Sequence, residues 1–200
     1  VVDQTAPPAG EIKADQLPGR IHGAPPQLAE SNSSDGRTVA RAKNLALMLL
    51  VMAQFAMIID ASIVNVALPS IGSTLHFSAA DLSWVVNSYM LCFAGFLLLG
   101  GRLADLVGRR RMFVCGLLLF SCASLAGGLA QSEGWLIAAR AVQGLGAAIV
   151  SPAALSILTT TFSDGAERNC ALAIWSSVGG AATAVGVLLG GLLTTELGWE

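Results

Sequence analysis

A chain of 200 residues has the length of one or two soluble domains, yet its composition excludes an ordinary soluble protein. Apolar residues make up 54% and charged residues only 12%, about half the usual charged share, and the mean hydropathy is +0.68. So few charges cannot coat a hydrated surface, and a net charge of -2 offers no basic face to a nucleic acid. Residues 1–43 differ from the rest: rich in Pro, Gly, Ala and Ser, mixed in charge and without an aromatic residue. Such a segment buries too little apolar area to offset its ordering entropy and is expected to be a disordered cytoplasmic tail. It also lacks the basic start leading into an apolar run that marks a signal peptide.

Residues 44–200 read as a transmembrane domain. Apolar runs at about 45–68, 83–101, 112–130, 135–158 and 171–193 each approach the ~20 residues that cross ~30 Å of hydrocarbon as a helix. They are too long and too uniformly apolar for strands, and lipid forbids an open sheet edge. The expectation is an all-α, multi-pass membrane protein. The first helix is expected to end at Pro69, and Ser78-Ala-Ala-Asp81 reads as a capping box before the second. Pro152 should bend the fourth.

Lys and Arg placement sets the expected orientation. Arg37, Arg41 and Lys43 precede helix 1, Arg102, Arg109, Arg110 and Arg111 link helices 2 and 3, and Arg168 links helices 4 and 5. The alternate links, 69–82 and 131–134, carry none. The positive-inside rule then places the N-terminus in the cytoplasm. Cys92, Cys115, Cys122 and Cys170 lie in or at the edges of apolar runs and read as small hydrophobes. His22 and His76 have no ligand cluster around them in sequence. No metal, phosphate-loop or Ser-His-Asp pattern occurs, so neither a cofactor nor an enzymatic role is expected.

Two ionisable residues lie well inside spans, where each costs at least ~2.5–3.5 kcal/mol unless partnered or wet. Asp60 is ~12 Å from the outer end of helix 1, and Arg140 ~8 Å from the outer end of helix 4, at 1.5 Å per residue. Opposite charges thus match in depth. Gln143 shares the Arg140 face at i+3, and Ser62, Asn65 and Asn87 lie at comparable levels, together suggesting a polar cavity lining. In the competing reading Arg140 snorkels to headgroups and Asp60 only ends or kinks a helix. Asp60 is too short to reach water from that depth. Small residues at four-residue spacing, Gly144 and Ala148 in helix 4 and Ala182, Gly186 and Gly190 in helix 5, predict close helix contacts. General enrichment of Gly and Ala in membrane helices is the alternative.

The segments Asp60-Ala-Ser-Ile-Val-Asn-Val-Ala-Leu-Pro69, Gly101-Arg-Leu-Ala-Asp-Leu-Val-Gly-Arg-Arg110, Arg140-Ala-Val-Gln-Gly-Leu-Gly-Ala-Ala148 and Gly186-Val-Leu-Leu-Gly-Gly191 occur in this order. Together they resemble motifs of the major facilitator superfamily, particularly its drug:proton antiporters with about fourteen spans. The resemblance covers about residues 45–193. Leu106 stands where a basic residue is common, and Val187 where the antiporter motif usually has Pro.

The resemblance implies the N-terminal five helices of a major-facilitator-type bundle in the cell membrane, exporting drug-like or amphipathic small molecules against protons by alternating access. It implies proton-coupling and cavity roles for Asp60, Arg140, Gln143 and Asn65. Gly101, Asp105, Gly108, Arg109 and Arg110 would form a cytoplasmic gate loop, in which the arginines also anchor topology. Gly144, Gly186, Gly190 and Gly191 would pack helices. The implied partners are substrate, protons, the lipid bilayer and the remaining helices of a longer transporter. Burial disfavours a charged Asp60 and a nearby Arg140 favours it, so moving Arg140 away would let a proton bind. The alternatives are a truncated transporter fragment without independent activity, or an unrelated membrane enzyme or channel.

Overall fold

The computed structural model describes residues 26–75 and 77–196; His22, His76 and the first 25 residues of the expected tail lie outside the described residues. Five helices follow one another: α1 (Pro26–Thr74), α2 (Ala79–Val107), α3 (Arg109–Gly128), α4 (Glu133–Thr161) and α5 (Ala166–Glu196). All five are long and apolar enough to cross a membrane. Residues up to Ala40 belong to one unit and Arg41–Glu200 to another. The packing described below lies within the second.

The apolar runs mark the part of each helix that crosses hydrocarbon, and the helices continue past them. Once a turn exists, each further residue adds one hydrogen bond without a new nucleation cost, so a helix runs on until a cap or turn stops it. α1 accordingly starts at Pro26, before the end of the expected tail, and passes through Pro69 instead of ending there. Ala67 and Ile71, either side of Pro69, pack with Val85, Ala130 and Leu136, so tertiary contacts flank the missing hydrogen bond. α2 starts at Ala79, directly after Ser78, whose Oγ accepts the Asp81 backbone N–H at 3.1 Å.

The expected loop between helices 2 and 3 shrinks to one residue. Gly108 has φ 110° and ψ 126°, a conformation rarely adopted by residues with a Cβ, and it alone separates Val107 of α2 from Arg109 of α3.

α4 is the central helix, with α2 and α3 packed along it. Its inward face runs through Leu136, Ala139, Arg140, Gln143, Gly144, Ala147, Val150, Ala154 and Leu158, all buried. Small side chains let the neighbouring backbones come close, which supplies dispersion contact where lipid removes the hydrophobic drive to associate. A Cβ on Gly144 would strike the Tyr89 carbonyl of α2, and one on Gly146 would lie 2.7 Å from the Phe120 nitrogen of α3. Pro152 lies inside α4 and donates no hydrogen bond to the Ala148 carbonyl, against which Gly100 of α2 packs.

On α5, the buried Ala182, Gly186 and Gly190 form the expected stripe. A Cβ on Gly186 would lie 2.6 Å from Ser62 Cβ, and one on Gly190 would lie 3.1 Å from Val66 Cβ, both on α1. Gly191 stands off this stripe: among the described residues, an added Cβ there would meet nothing within 4 Å. One step along a helix turns it by about 100°, away from the stripe.

Gly144→Ala is expected to lower stability by about 1–3 kcal/mol, because the Tyr89 carbonyl is backbone and yields little. Gly180→Ala, where added bulk meets nothing, should leave it unchanged or slightly raised. Unfolding midpoints in detergent compare the two directly, and equal midpoints would contradict the α2–α4 contact.

Three apolar clusters stack along the bundle. Leu50, Ala154, Leu158, Phe162 and Ala171 form the first, and Met57, Tyr89, Phe120, Ala147 and Val150 the second. Ala67, Ile71, Val85, Ala130 and Leu136 form the third. Leu98, Leu118, Leu125 and Leu188 point outward with the other large exposed apolar side chains, a surface suited to lipid. The free cysteines Cys115, Cys122 and Cys170 share that outer exposure, and Cys92 is half-buried.

Candidate functional site

Between the second and third clusters lies the most polar part of the interior. Met57 and Ala67 bracket Asp60 on α1, and Leu136 and Ala147 bracket Arg140 on α4. Apolar side chains above and below exclude water and lower the local dielectric, so any charge here needs a built partner. Asp60 and Arg140 are each other's partner: Arg140 Nη1 donates to Asp60 Oδ2 at 2.7 Å.

Gln143 closes the arrangement. Arg140 Nη1 also donates to Gln143 Oε1 at 2.6 Å, and Gln143 Nε2 donates to Asp60 Oδ1 at 2.7 Å. The three side chains form a ring in which each bonds to the other two. Gln143 sits one turn after Arg140, so α4 presents both to α1 from one face. Arg140 is 4% exposed, Gln143 2%, and Asp60 17%. The guanidinium is therefore sealed while the carboxylate keeps limited access.

Three further groups complete the shell. Arg140 Nε donates to the Val85 carbonyl at 3.3 Å, and Ser124 Oγ of α3 donates to Asp60 Oδ1 at 3.3 Å. The Arg140 guanidinium lies 4.6 Å from the centre of the Tyr89 ring, inside the range of cation–π attraction. Four helices thus converge on one ion pair. A cavity of about 180 Å³ opens beside it, with Asp60, Ser124, Arg140 and Gln143 at its polar end and Ile63, Val64, Ala67, Ile71 and Leu136 along its apolar wall.

The structure brings together Asp60, Arg140 and Gln143 as their depths and spacing suggested, and Arg140 is paired, not snorkelling. The other polar neighbours are elsewhere. Asn65 is exposed, and its Nδ2 donates to the Ala61 carbonyl of its own helix at 2.8 Å. Asn87 is exposed, and α2 turns Val85 and Tyr89 toward Arg140 instead. Ser62 packs against Gly186. Sequence reasoning missed Tyr89, Val85 and Ser124. Tyr89 carried a readable signal as the chain's single tyrosine, placed within an apolar run.

At the α2–α3 turn, Arg109 and Asp105 pair at 3.6 Å across Gly108. Both are substantially exposed, so the pair is worth at most about 1 kcal/mol. Arg110 is exposed beside it, while Gly101, farther back on α2, faces Pro152 of α4 at 3.6 Å from where its Cβ would be. Among the described residues, no three His, Cys, Asp or Glu side chains gather as a metal site would require.

Removing either charge alone would strand the other in low dielectric, so the two charges depend on each other.

Comparison with known proteins agrees with this architecture. The sequence signature of the Major Facilitator Superfamily matches residues 50–200. The chain is similar to the cephamycin export protein CmcT of Amycolatopsis lactamdurans, at 50% identity over 169 residues, covering 84% of this chain and 35% of that protein. It is also similar to the puromycin resistance protein pur8 of Streptomyces alboniger, at 46% identity over 154 residues, 77% of this chain and 31% of that protein. The multidrug resistance protein Stp of Mycobacterium tuberculosis is 42% identical over 160 residues, 80% of this chain and 30% of that protein. The chain spans about a third of the length of these relatives.

Proposed function

The chain belongs to the major facilitator superfamily, and on that premise we propose that it forms part of a proton-coupled exporter of drug-like or amphipathic small molecules. The activity is that of a protein of the relatives' length, and the antibiotic export and resistance for which those relatives are named support the substrate class. The observation that carries the coupling is the buried ring of Asp60, Arg140 and Gln143.

In this reading the N-terminus is cytoplasmic, as the arginine-rich α2–α3 turn favours. Two helical bundles rock about a site near the midplane. In one access state Asp60 is ionised and held by Arg140. In the other, Arg140 has moved off and a proton takes its place on the carboxylate. Asp105 and Arg109 help select between the states at the cytoplasmic turn. Gly101 and Gly108 let that region pack and turn.

One proton crossing ~100 mV supplies ~2.3 kcal/mol, and one pH unit adds ~1.4 kcal/mol. Their sum of ~3.7 kcal/mol sustains a substrate gradient of several hundredfold. The full-length protein in everted vesicles should accumulate substrate when the lumen is acidified, and a protonophore should release it. Accumulation that persists without a proton gradient would refute the coupling.

A further inference from the structure

A titrating carboxylate poses a problem for its partner. When a proton neutralises Asp60, the Arg140 guanidinium remains charged and buried, and the ring of hydrogen bonds loses its anion. Something neutral must receive the charged guanidinium once it has left Asp60.

We propose that Tyr89 is the positioning residue that holds Arg140 through the protonated state of Asp60, by offering the face of its ring to the guanidinium. The ring centre lies 4.6 Å from Arg140 Cζ. One turn earlier on the same helix, the Val85 carbonyl accepts from Arg140 Nε at 3.3 Å. α2 therefore grips Arg140 at two points, neither of which depends on pH.

The ring itself is firmly held. Tyr89 is buried, it stacks parallel to Phe93 with centroids 6.2 Å apart, and Gly144 of α4 packs directly against its backbone carbonyl. The electrostatic sense is fixed by the ring's negative face. That face attracts the guanidinium, and the attraction counts for more when the carboxylate is discharged. A guanidinium released from Asp60 can also settle further onto it. Tyr89 thereby eases proton uptake without touching the proton.

Around the pair, the titratable or charged groups among the described residues are Asp60 from α1, Tyr89 from α2 and Arg140 from α4. α3 contributes neutral Ser124, α4 neutral Gln143, and α5 meets α1 nearby through Gly186, which has no side chain.

The inference rests on Asp60 being the titrating group of the proposed coupling. It is tested on the full-length protein in native membranes by labelling with dicyclohexylcarbodiimide, which reacts with a protonated carboxyl, the modified Asp60 peptide being quantified by mass spectrometry across pH. Tyr89→Phe keeps the ring face and should leave the labelling midpoint unchanged. A trifluorinated phenylalanine at position 89 keeps the shape but depletes the face, and should move the midpoint about one pH unit lower. Tyr89→Leu should move it the same way, with the fluorinated variant guarding against misfolding. A midpoint unmoved by fluorination, or moved equally by Tyr89→Phe, would overturn the assignment. Efflux insensitive to Asp60→Asn would instead overturn the coupling reading, because labelling reports on Tyr89 whether or not transport uses the proton.

Discussion

Asp60→Asn in the full-length transporter is expected to abolish proton-driven efflux while leaving membrane insertion intact. Asparagine matches the aspartate in size, and its single amide oxygen can keep one of the two bonds that Asp60 accepts from Arg140 and Gln143, so the site stays filled while the ring loosens. What it lacks is a site that exchanges a cation partner for a proton. Without that exchange the ~3.7 kcal/mol of the proton gradient no longer drives the conformational cycle. The several-hundredfold substrate gradient should then collapse toward equality. Arg140 loses its counter-charge in this variant but keeps the Val85 carbonyl, Gln143 and the Tyr89 ring. Folding should therefore survive better than transport. Efflux in everted vesicles and the yield of inserted protein separate the two, and undiminished efflux would remove Asp60 from the mechanism.

Arg140→Ala should be more damaging still, costing about 3–5 kcal/mol of stability. It strands a largely buried carboxylate, takes away the donor to Gln143 and opens a void under Tyr89. The informative partner experiment replaces both charges. Asp60→Asn combined with Arg140→Gln removes the ion pair without leaving either charge alone, and should recover much of the stability lost by Arg140→Gln. The coupling energy from such a cycle should fall toward the upper part of the 0.5–3 kcal/mol seen for contacting pairs. Strictly additive losses in unfolding midpoint would mean that the two side chains do not interact.

The vertical arrangement of the site was legible in the sequence, and the rotational arrangement was not. Depth accrues at 1.5 Å per residue, so an error of one or two residues in a helix end barely moves Asp60 relative to Arg140. Rotation accrues at about 100° per residue, so side chains two apart face nearly opposite ways. Asn87 and Tyr89 show the consequence: the amide reads as the polar candidate, yet the exposed face carries Asn87 and the buried face Tyr89. Asn65 shares α1 with Asp60 but satisfies itself on the Ala61 carbonyl.

Gln143 was readable because its spacing to Arg140 is internal to one helix. Ser124 was not, because its contact with Asp60 depends on how α3 packs against α1. The same distinction separates Gly186 from Gly191. Four-residue spacing places Gly186 and Gly190 on one stripe, whereas motif resemblance alone had added Gly191. Helix ends were the least legible feature. Hydropathy marks the hydrocarbon-crossing portion, while caps and turns such as Ser78 and Gly108 decide where the backbone ladder stops.

In the proposed coupling, the Arg140 guanidinium and the Asp60 carboxylate touch when the carboxylate is charged and separate when it is not. Solid-state NMR on the full-length protein in bilayers, with carbon label in the Asp60 carboxyl and nitrogen label in the Arg140 guanidinium, measures that contact through dipolar coupling. At high pH the coupling should match direct contact, consistent with the 2.7 Å nitrogen–oxygen separation, and it should weaken as the carboxyl carbon shift reports protonation. A coupling absent at every pH, or one that stays constant while the carboxyl titrates, would contradict it.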